Sequence, residues 1–253
     1  MGKSICVFNQ KGGVGKTTTV VNLASALGKL KKRVLVVDVD PQANATSGLG
    51  IDKSILEHTV YEIMIDQNDP IDTIVKTSSI NVDILPATPD LAGLEVELVM
   101  LSQRETRLRN TLKKVVDDYD FILIDCPPSL GQLSINALVA ANSVLIPIQC
   151  EYYALEGVSQ LIETLELIKG SLNPDLEIEG VLLSMFDGRN NLALEVVEEV
   201  KKYFKDKVFK SIIPRNIRVA EAPSHGLSVI DYDEKSKGAE AYKKLAKELI
   251  RNN

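Results

Sequence analysis

Short, almost wholly apolar runs alternate along this chain with longer stretches in which apolar residues recur every three or four positions. The runs Ile5 to Phe8, Val34 to Val37, Val82 to Leu85, Phe121 to Ile124, Val144 to Gln149 and Ile178 to Met185 read as strands. Such continuous apolarity, without polar alternation, is the pattern of strands covered on both faces. The stretches Thr19 to Leu30, Leu91 to Leu101, Arg107 to Val116, Gln132 to Ala141, Leu155 to Ile168, Leu192 to Phe204 and Ala239 to Arg251 read as helices. In the first of them Val20, Leu23, Ala24 and Leu27 share one face. Thr59 and Glu62 have the spacing of a capping box, which predicts a further short helix. Asn44 to Gly50 is rich in Asn, Ser, Thr and Gly and is predicted to be a loop, while Val208 to Ile213 leads into Pro214, where a plain reading ends a strand in a turn. Strand and helix in regular alternation specify a three-layer α/β fold, a mostly parallel central sheet flanked by helices. No Pro/Ser/Gly-rich linker, low-complexity tract or internal repeat interrupts residues 1–253, so one domain is expected.

The stretch between the first strand and the first helix carries the chemistry. It reads Asn9-Gln10-Lys11-Gly12-Gly13-Val14-Gly15-Lys16-Thr17-Thr18. A strand-to-helix turn of this kind points successive backbone N–H groups, and the positive end of the helix dipole, at one place. Glycines at three of four positions keep side chains out of that approach. Lys16 is placed to reach terminal phosphates, and the Thr17 hydroxyl to ligate magnesium.

Two further strands end in acid. Asp38 closes the second apolar run and Asp40 follows two residues later, so in extended chain both carboxylates leave the same face. Asp125 closes the Phe121 run and is followed by Cys126-Pro127-Pro128-Ser129, where the prolines end the strand. At the carboxyl ends of parallel strands these groups face the glycine loop. Asp125 fits a Walker B carboxylate, behind the magnesium held by Thr17.

Composition narrows the picture. At 253 residues and 45% hydrophobic content the chain can bury a large core. No apolar stretch approaches the roughly 18 residues of a membrane span, and the first strand begins too early for a signal peptide, which predicts a cytoplasmic protein. Cys6, Cys126 and Cys150 are too scattered for metal-ligand spacing and are expected to be small buried residues; His58 and His225 are too few for a metal site. The net charge of −6 is unevenly distributed: from Asp187 to Asn253 there are 14 Lys and Arg against 11 Asp and Glu, so basic character is confined to the C-terminal third.

The loop lacks the glycine that the usual P-loop has five residues before Gly15, and it carries Lys11 at its head. In this it resembles the deviant Walker A motif of the ParA/MinD group of P-loop ATPases. Asp38-x-Asp40-Pro41-Gln42, Asp125-Cys126-Pro127-Pro128-Ser129, Glu151 to Gly157, Ile213-Pro214-Arg215-Asn216 and Glu221 to Gly226 extend the resemblance nearly from end to end, and together look like the chromosomal ParA branch known as Soj. The resemblance implies a magnesium-dependent ATPase, slow without an activator, with the P-loop NTPase fold. It implies that ATP occupies Lys11, Gly12, Gly13, Val14, Gly15, Lys16, Thr17 and Thr18. Lys11 is then expected to cross to the partner's nucleotide in a sandwich homodimer. Asp40 is expected to position the attacking water, Thr17, Asp38 and Asp125 to serve Mg2+, and Pro214 and Asn216 to contact the adenine. The iron-protein relatives bind an iron–sulfur cluster through cysteine segments that this chain lacks, so no cluster is expected.

Relatives in this group differ in what their dimers bind. The MinD type ends in a membrane-seeking helix, whereas here Tyr242, Leu245, Ala246, Leu249 and Ile250 have packing spacing and the chain stops soon after, so no membrane partner is expected. Larger plasmid ParA proteins carry an N-terminal operator-reading domain; here the first strand begins within a few residues of Met1, so specific operator reading is not expected. The resemblance therefore implies nonspecific binding of double-stranded DNA by the ATP dimer and association with the nucleoid. Arg189 and Arg218 are the implied contacts, and Lys201, Lys202, Lys243 and Lys244 are additional candidates from the basic third. A ParB-family centromere-binding protein is the implied activator and the replication initiator DnaA a further implied partner, in chromosome partition or control of replication initiation. Two other classes share the fold: a MinD-like membrane-surface ATPase and an ATP-dependent metabolic ligase such as dethiobiotin synthetase.

Overall fold

The protein is described by a computed structural model over residues 2–66, 69–151 and 157–253. Seven strands form one sheet: β1 (Lys3–Val7), β2 (Val34–Asp38), β3 (Val75–Lys76), β4 (Val82–Leu85), β5 (Phe121–Asp125), β6 (Ser143–Gln149) and β7 (Glu177–Ser184). Their spatial order is β3-β4-β2-β5-β1-β6-β7. All neighbouring pairs run parallel except the short edge strand β3, which is antiparallel to β4. Every residue of β2 and β5 is buried, as their unbroken apolar sequences predict.

Alternate residues of each strand feed two separate cores. Ile5, Val7, Val34, Val36, Leu123 and Leu145 face one side, where α1 (Lys16–Lys29), α2 (Asn44–Gly48), α10 (Val229–Tyr232) and α11 (Lys237–Asn252) pack. Cys6, Phe8, Leu35, Val37, Ile122, Ile124 and Ile146 face the other, covered by α3 (Val60–Asp66), α4 (Leu91–Glu97), α5 (Arg107–Leu112), α6 (Gln132–Ala140), α7 (Val158–Ser171) and α8 (Asn191–Phe204). A short α9 (Ile217–Glu221) lies beside the start of α11. The three-layer α/β architecture expected from the pattern is therefore the one observed. Tyr242, Leu245, Ala246 and Leu249 of α11 are buried in the core that α1 shares, Leu245 and Leu249 each contributing about 1.5–3 kcal/mol.

The capping box forms: the Glu62 carboxylate accepts from the Thr59 N–H at 2.7 Å, while Thr59 Oγ1 accepts from the Tyr61 N–H at 3.1 Å. Five local expectations need correction. Asn44 to Gly50 begins as the helix α2, because Thr46 is gripped by the buried Asp38 carboxylate and Ala45 and Leu49 pack into the core. The helix expected to reach Leu101 leaves the α form after Glu97 and closes with a 3-10 turn, Leu98–Met100. The helix expected to reach Val116 ends at Leu112; the Val116 carbonyl instead accepts from the Gly2 N–H at 3.1 Å, tying that segment to the start of β1. Val208 to Ile213 makes only isolated bridges to the sheet, Val181 with Val208 and Phe186 with Pro214. Its N–H groups at Lys210 and Ser211 are bound by the Glu248 carboxylate of α11. The helix expected from Leu155 starts at Val158; Leu155 itself lies outside the described residues.

Candidate functional site

The glycine loop joins the carboxyl end of β1 to α1, in the middle of the sheet. Gly13 and Gly15 have φ of 75° and 92°, the left-handed region that side-chain-bearing residues avoid. A Cβ built on Gly12 or Gly13 would meet nothing within 4 Å, so the loop's surface opens to space rather than to protein. Gly15 caps α1 without a side chain, and no acidic residue lies in the helix's first turn. Its first N–H groups thus keep their capacity to bind an anion.

Side chains from distant strands hold the loop. Asn9 forms an Asx turn, accepting from the Lys11 N–H at 2.9 Å, and donates its amide to the Pro147 carbonyl at 2.8 Å. Gln10 donates to Thr164 Oγ1 of α7 at 3.0 Å, and Ser184 Oγ at the end of β7 donates to the Val14 carbonyl at 2.8 Å. The Lys16 ammonium is folded back to the Lys11 carbonyl, 3.2 Å away. Burial lowers the Lys16 pKa, opposed by the negative charges of Asp125 and Asp40 nearby. An anion on the loop would favour the charged ammonium.

The acidic strand ends converge beside it. In the parallel β2–β5 ladder Asp38 lies directly opposite Asp125, and both are fully buried. Asp38 is already engaged: Oδ2 accepts from the Thr46 N–H at 2.8 Å and the Thr46 hydroxyl at 2.7 Å, and Oδ1 accepts from the Asp40 N–H at 3.2 Å. Burial pushes its pKa up to about 6, with the Thr46 hydrogen bonds pulling the other way. Asp125 differs. The Thr17 hydroxyl faces its carboxylate, but neither oxygen completes a hydrogen bond among the described residues. Burial, and then the adjacent Asp38, raise its pKa well above the carboxylate range. A buried carboxylate without donors is costly unless a cation or bound water completes it. The donor set of Thr17 and Asp125, all oxygen, suits magnesium. Asp40 is also buried, with Oδ1 accepting from the Gln42 N–H at 2.9 Å.

A cleft of about 320 Å³ brings most of these groups together, lined among others by Gly12, Gly15, Lys16, Thr17, Asp40 and Pro128. Lys11 borders a separate small recess with Asn9, Val14 and Gln149. Pro214 bridges to Phe186 at the end of β7, and Asn216 caps α9, accepting from the Arg218 N–H at 3.0 Å and the Val219 N–H at 3.4 Å. Sequence reasoning missed Thr46, the fastening side chains Asn9, Gln10 and Ser184, and Met185 and Gln42 in the cleft wall. Only Asn9, two residues before the N–H it binds, left a local signal.

The basic candidates do not form one patch. Arg189 makes a forked pair with Asp187, 2.9 and 2.7 Å, which holds the Asp187 carboxyl down at about 2. Arg215 adds to that effect, and its N–H binds the Phe186 carbonyl, so Arg189 and the 215–218 segment are neighbours. Arg218 pairs with Glu221 at 2.9 Å and Asp233 at 3.4 Å. Lys243 pairs with Glu234 at 2.8 Å, and Lys244 is exposed on α11. Lys201 and Lys202 sit in the last turn of α8, whereas Arg189 precedes its first; at about 1.5 Å per residue the helix sets them roughly 15 Å or more apart. Among the described residues, no helix is long and apolar enough to cross a membrane.

A mostly parallel sheet, a glycine loop at a helix N-terminus and two acidic strand ends beside it define a P-loop NTPase of the deviant Walker A kind. Comparison with known proteins agrees. A family described as an AAA domain matches residues 2–178. The chain is 60% identical over 252 residues to the sporulation initiation inhibitor protein Soj of Bacillus subtilis, covering the whole of both chains. It is 54% identical to the chromosome partitioning protein ParA of Myxococcus xanthus, covering all of this chain and 89% of that one. A crystal structure described as cobyrinic acid a,c-diamide synthase from Mycobacterium smegmatis, with bound ADP and magnesium, superposes with a TM-score of 0.87 at 39% identity, covering 99% and 95% of the two chains. The chain belongs to the ParA/Soj family of chromosome-partitioning ATPases.

Proposed function

We propose that this chain is an ATP-driven dimeric switch of chromosome partition, whose ATP-bound form binds DNA without sequence preference and whose ADP form lets go. The observation that carries the reading is Asp125, a fully buried carboxylate that faces the Thr17 hydroxyl at the mouth of an open glycine loop. The N–H groups from Gly12 to Thr18 hold the phosphates, and Lys16 turns from the Lys11 carbonyl to the terminal one. Thr17 and Asp125 would hold magnesium, which would supply positive charge against the phosphates; Asp38, opposite Asp125 and fixed to Thr46, keeps that strand end in place and so supports the magnesium shell. Asp40 holds the attacking water: its Oδ1 is engaged by Gln42, and its other oxygen accepts the water's proton as oxygen bonds to the γ-phosphorus and the β–γ bridge breaks.

Lys11 crosses to the nucleotide of a second copy, so the γ-phosphate and two cations form the charge pairing that closes the dimer. Closure joins two basic surfaces centred on Arg189 and Arg218 and doubles the phosphates contacted. Pro214 and Asn216, on the segment leading into α9, contact the adenine and couple the nucleotide to Arg218. In this reading a ParB-family protein activates an otherwise slow hydrolysis, DnaA is a further partner, and the protein acts on the nucleoid in the cytoplasm.

Sedimentation without nucleotide, with ADP and with ATP and magnesium tests the switch. Wild type should dimerise with ATP alone, and Lys11→Ala should bind ATP yet remain a monomer. An undiminished dimer in that variant removes the crossing lysine from the mechanism. The synthase description of the solved relative favours one other reading, an ATP-dependent ligase, which requires turnover on a small molecule without any response to DNA. A membrane-surface role is disfavoured by α11, whose apolar face is packed rather than free; ATP-dependent sedimentation with liposomes would revive it.

A further inference from the structure

Cys6 lies in β1 opposite Ile124 of β5, which places Cys126, two residues further on, diagonally beside it on the same face of the sheet. Both side chains are fully buried and both are free thiols. Their sulfurs are 3.2 Å apart and share a hydrogen bond. That separation leaves about 1.2 Å to close to reach the roughly 2.05 Å of a disulfide. The third cysteine, Cys150, follows the end of β6 and is buried elsewhere in the same core.

We propose that Cys6 and Cys126 are a disulfide-forming site, oxidised by peroxide to a bond that ties the end of β1 to the end of β5 and loosens the grip of the neighbouring cleft on nucleotide. One sulfur attacks a peroxide oxygen; the O–O bond breaks, giving a sulfenic acid and one water. The second sulfur attacks the sulfenic sulfur and displaces hydroxide, which leaves as the second water with the remaining thiol proton. Two thiols and one peroxide thus give one disulfide and two waters. Hydrogen peroxide, little larger than water, is the oxidant proposed for two thiols with no exposed surface. The bond joins positions 120 apart in sequence, so it crosslinks the neighbouring strand ends of β1 and β5.

Position turns the bond into a control point. Three residues after Cys6 the chain enters the glycine loop at Asn9. Cys126 directly follows Asp125 and precedes Pro127 and Pro128, the latter in the cleft wall. Drawing the sulfurs together shifts Asp125 against Asp38 and Thr17. The effect on nucleotide rests on the function proposed above; the bond does not.

The test treats reduced wild-type protein with hydrogen peroxide and divides it between peptide mapping without reductant and titration with a fluorescent ADP analogue plus magnesium. The expected map contains the Cys6 and Cys126 peptides joined, two hydrogens lighter than their sum, and separated again by dithiothreitol. Displacing a carboxylate beside the metal position should weaken nucleotide binding about tenfold, reversibly. Cys6→Ala should give no joined peptide and an affinity indifferent to peroxide, while Cys150→Ala should behave as wild type. Cys6 and Cys126 remaining separately alkylatable, or advancing to sulfinic acids on separate peptides, would overturn the site. A joined peptide with unchanged affinity would overturn the control. Reduced wild type that binds no nucleotide would instead count against the proposed function, and the peptide map would still decide the bond.

Discussion

The two charged regions of this protein are built on opposite principles. At the loop end of the sheet, Lys16, Asp38, Asp40 and Asp125 are each more than nine-tenths buried. In the C-terminal third, Arg189, Arg218 and Lys243 carry comparable charge at the surface, and each is matched by an acid beside it. Buried charge is expensive unless its partners are fixed, so the first region is specific about what completes it. Exposed ion pairs contribute about 0–1 kcal/mol, so the second can exchange Asp187, Glu221 or Glu234 for a phosphate at little cost. Under the proposed function the first region selects the nucleotide, and the second adds modest, salt-sensitive contacts that a dimer would double.

That contrast is easily attacked at its strongest point. Lys16→Ala removes the buried cation proposed to reach the terminal phosphate and should lower ATP hydrolysis by roughly 100-fold or more, the scale set by loss of one preorganised charge donor. Phosphate release within a fewfold of wild type would take Lys16 out of the site. On the surface side, Arg218→Glu should still dimerise with ATP while its DNA affinity falls roughly tenfold or more near 0.1 M salt, with a shallower salt slope. Equal affinity at matched salt would show that α9 does not face DNA. Asn216→Ala should cost about 1 kcal/mol of stability, since the side chain caps α9, and chemical denaturation measures it. If Asn216 also reads the adenine, the same variant loses discrimination between ATP and GTP, and a stability loss alone would reduce it to a cap. Lys202→Ala should change least, within about twofold in DNA affinity, because α8 carries it away from Arg189.

The two regions also differed in how far the amino-acid sequence disclosed them. Glycine loop, Asp38, Asp40 and Asp125 were legible because each sits at the end of a local pattern, an apolar run or a strand-to-helix turn. The two-sided burial of the strands, and hence the layers, followed from the same runs. What stayed hidden was held by residues far apart in the chain. Asn44 to Gly48 has a loop's composition and is a helix because Thr46 binds Asp38. Val208 to Ile213 has a strand's composition and is drawn off the sheet ladder by Glu248, 38 residues later. Ser184 and Thr164 fasten the loop from strands and helices that no window around Gly12 contains. Among the basic residues, sequence located the charge but not its grouping, which depends on how the 215–218 segment returns to the end of β7.

The central claim is that phosphate chemistry in the buried region sets the state of the exposed one. DNA retention on unrelated duplexes at fixed salt, without nucleotide, with ADP and with ATP and magnesium, tests it most directly in wild type and Asp40→Ala. Binding only with ATP, and longer-lived in Asp40→Ala because the bound γ-phosphate persists, is the result this account predicts. DNA binding that ignores the nucleotide, or is absent in both proteins while ATP-driven dimers form, would contradict it.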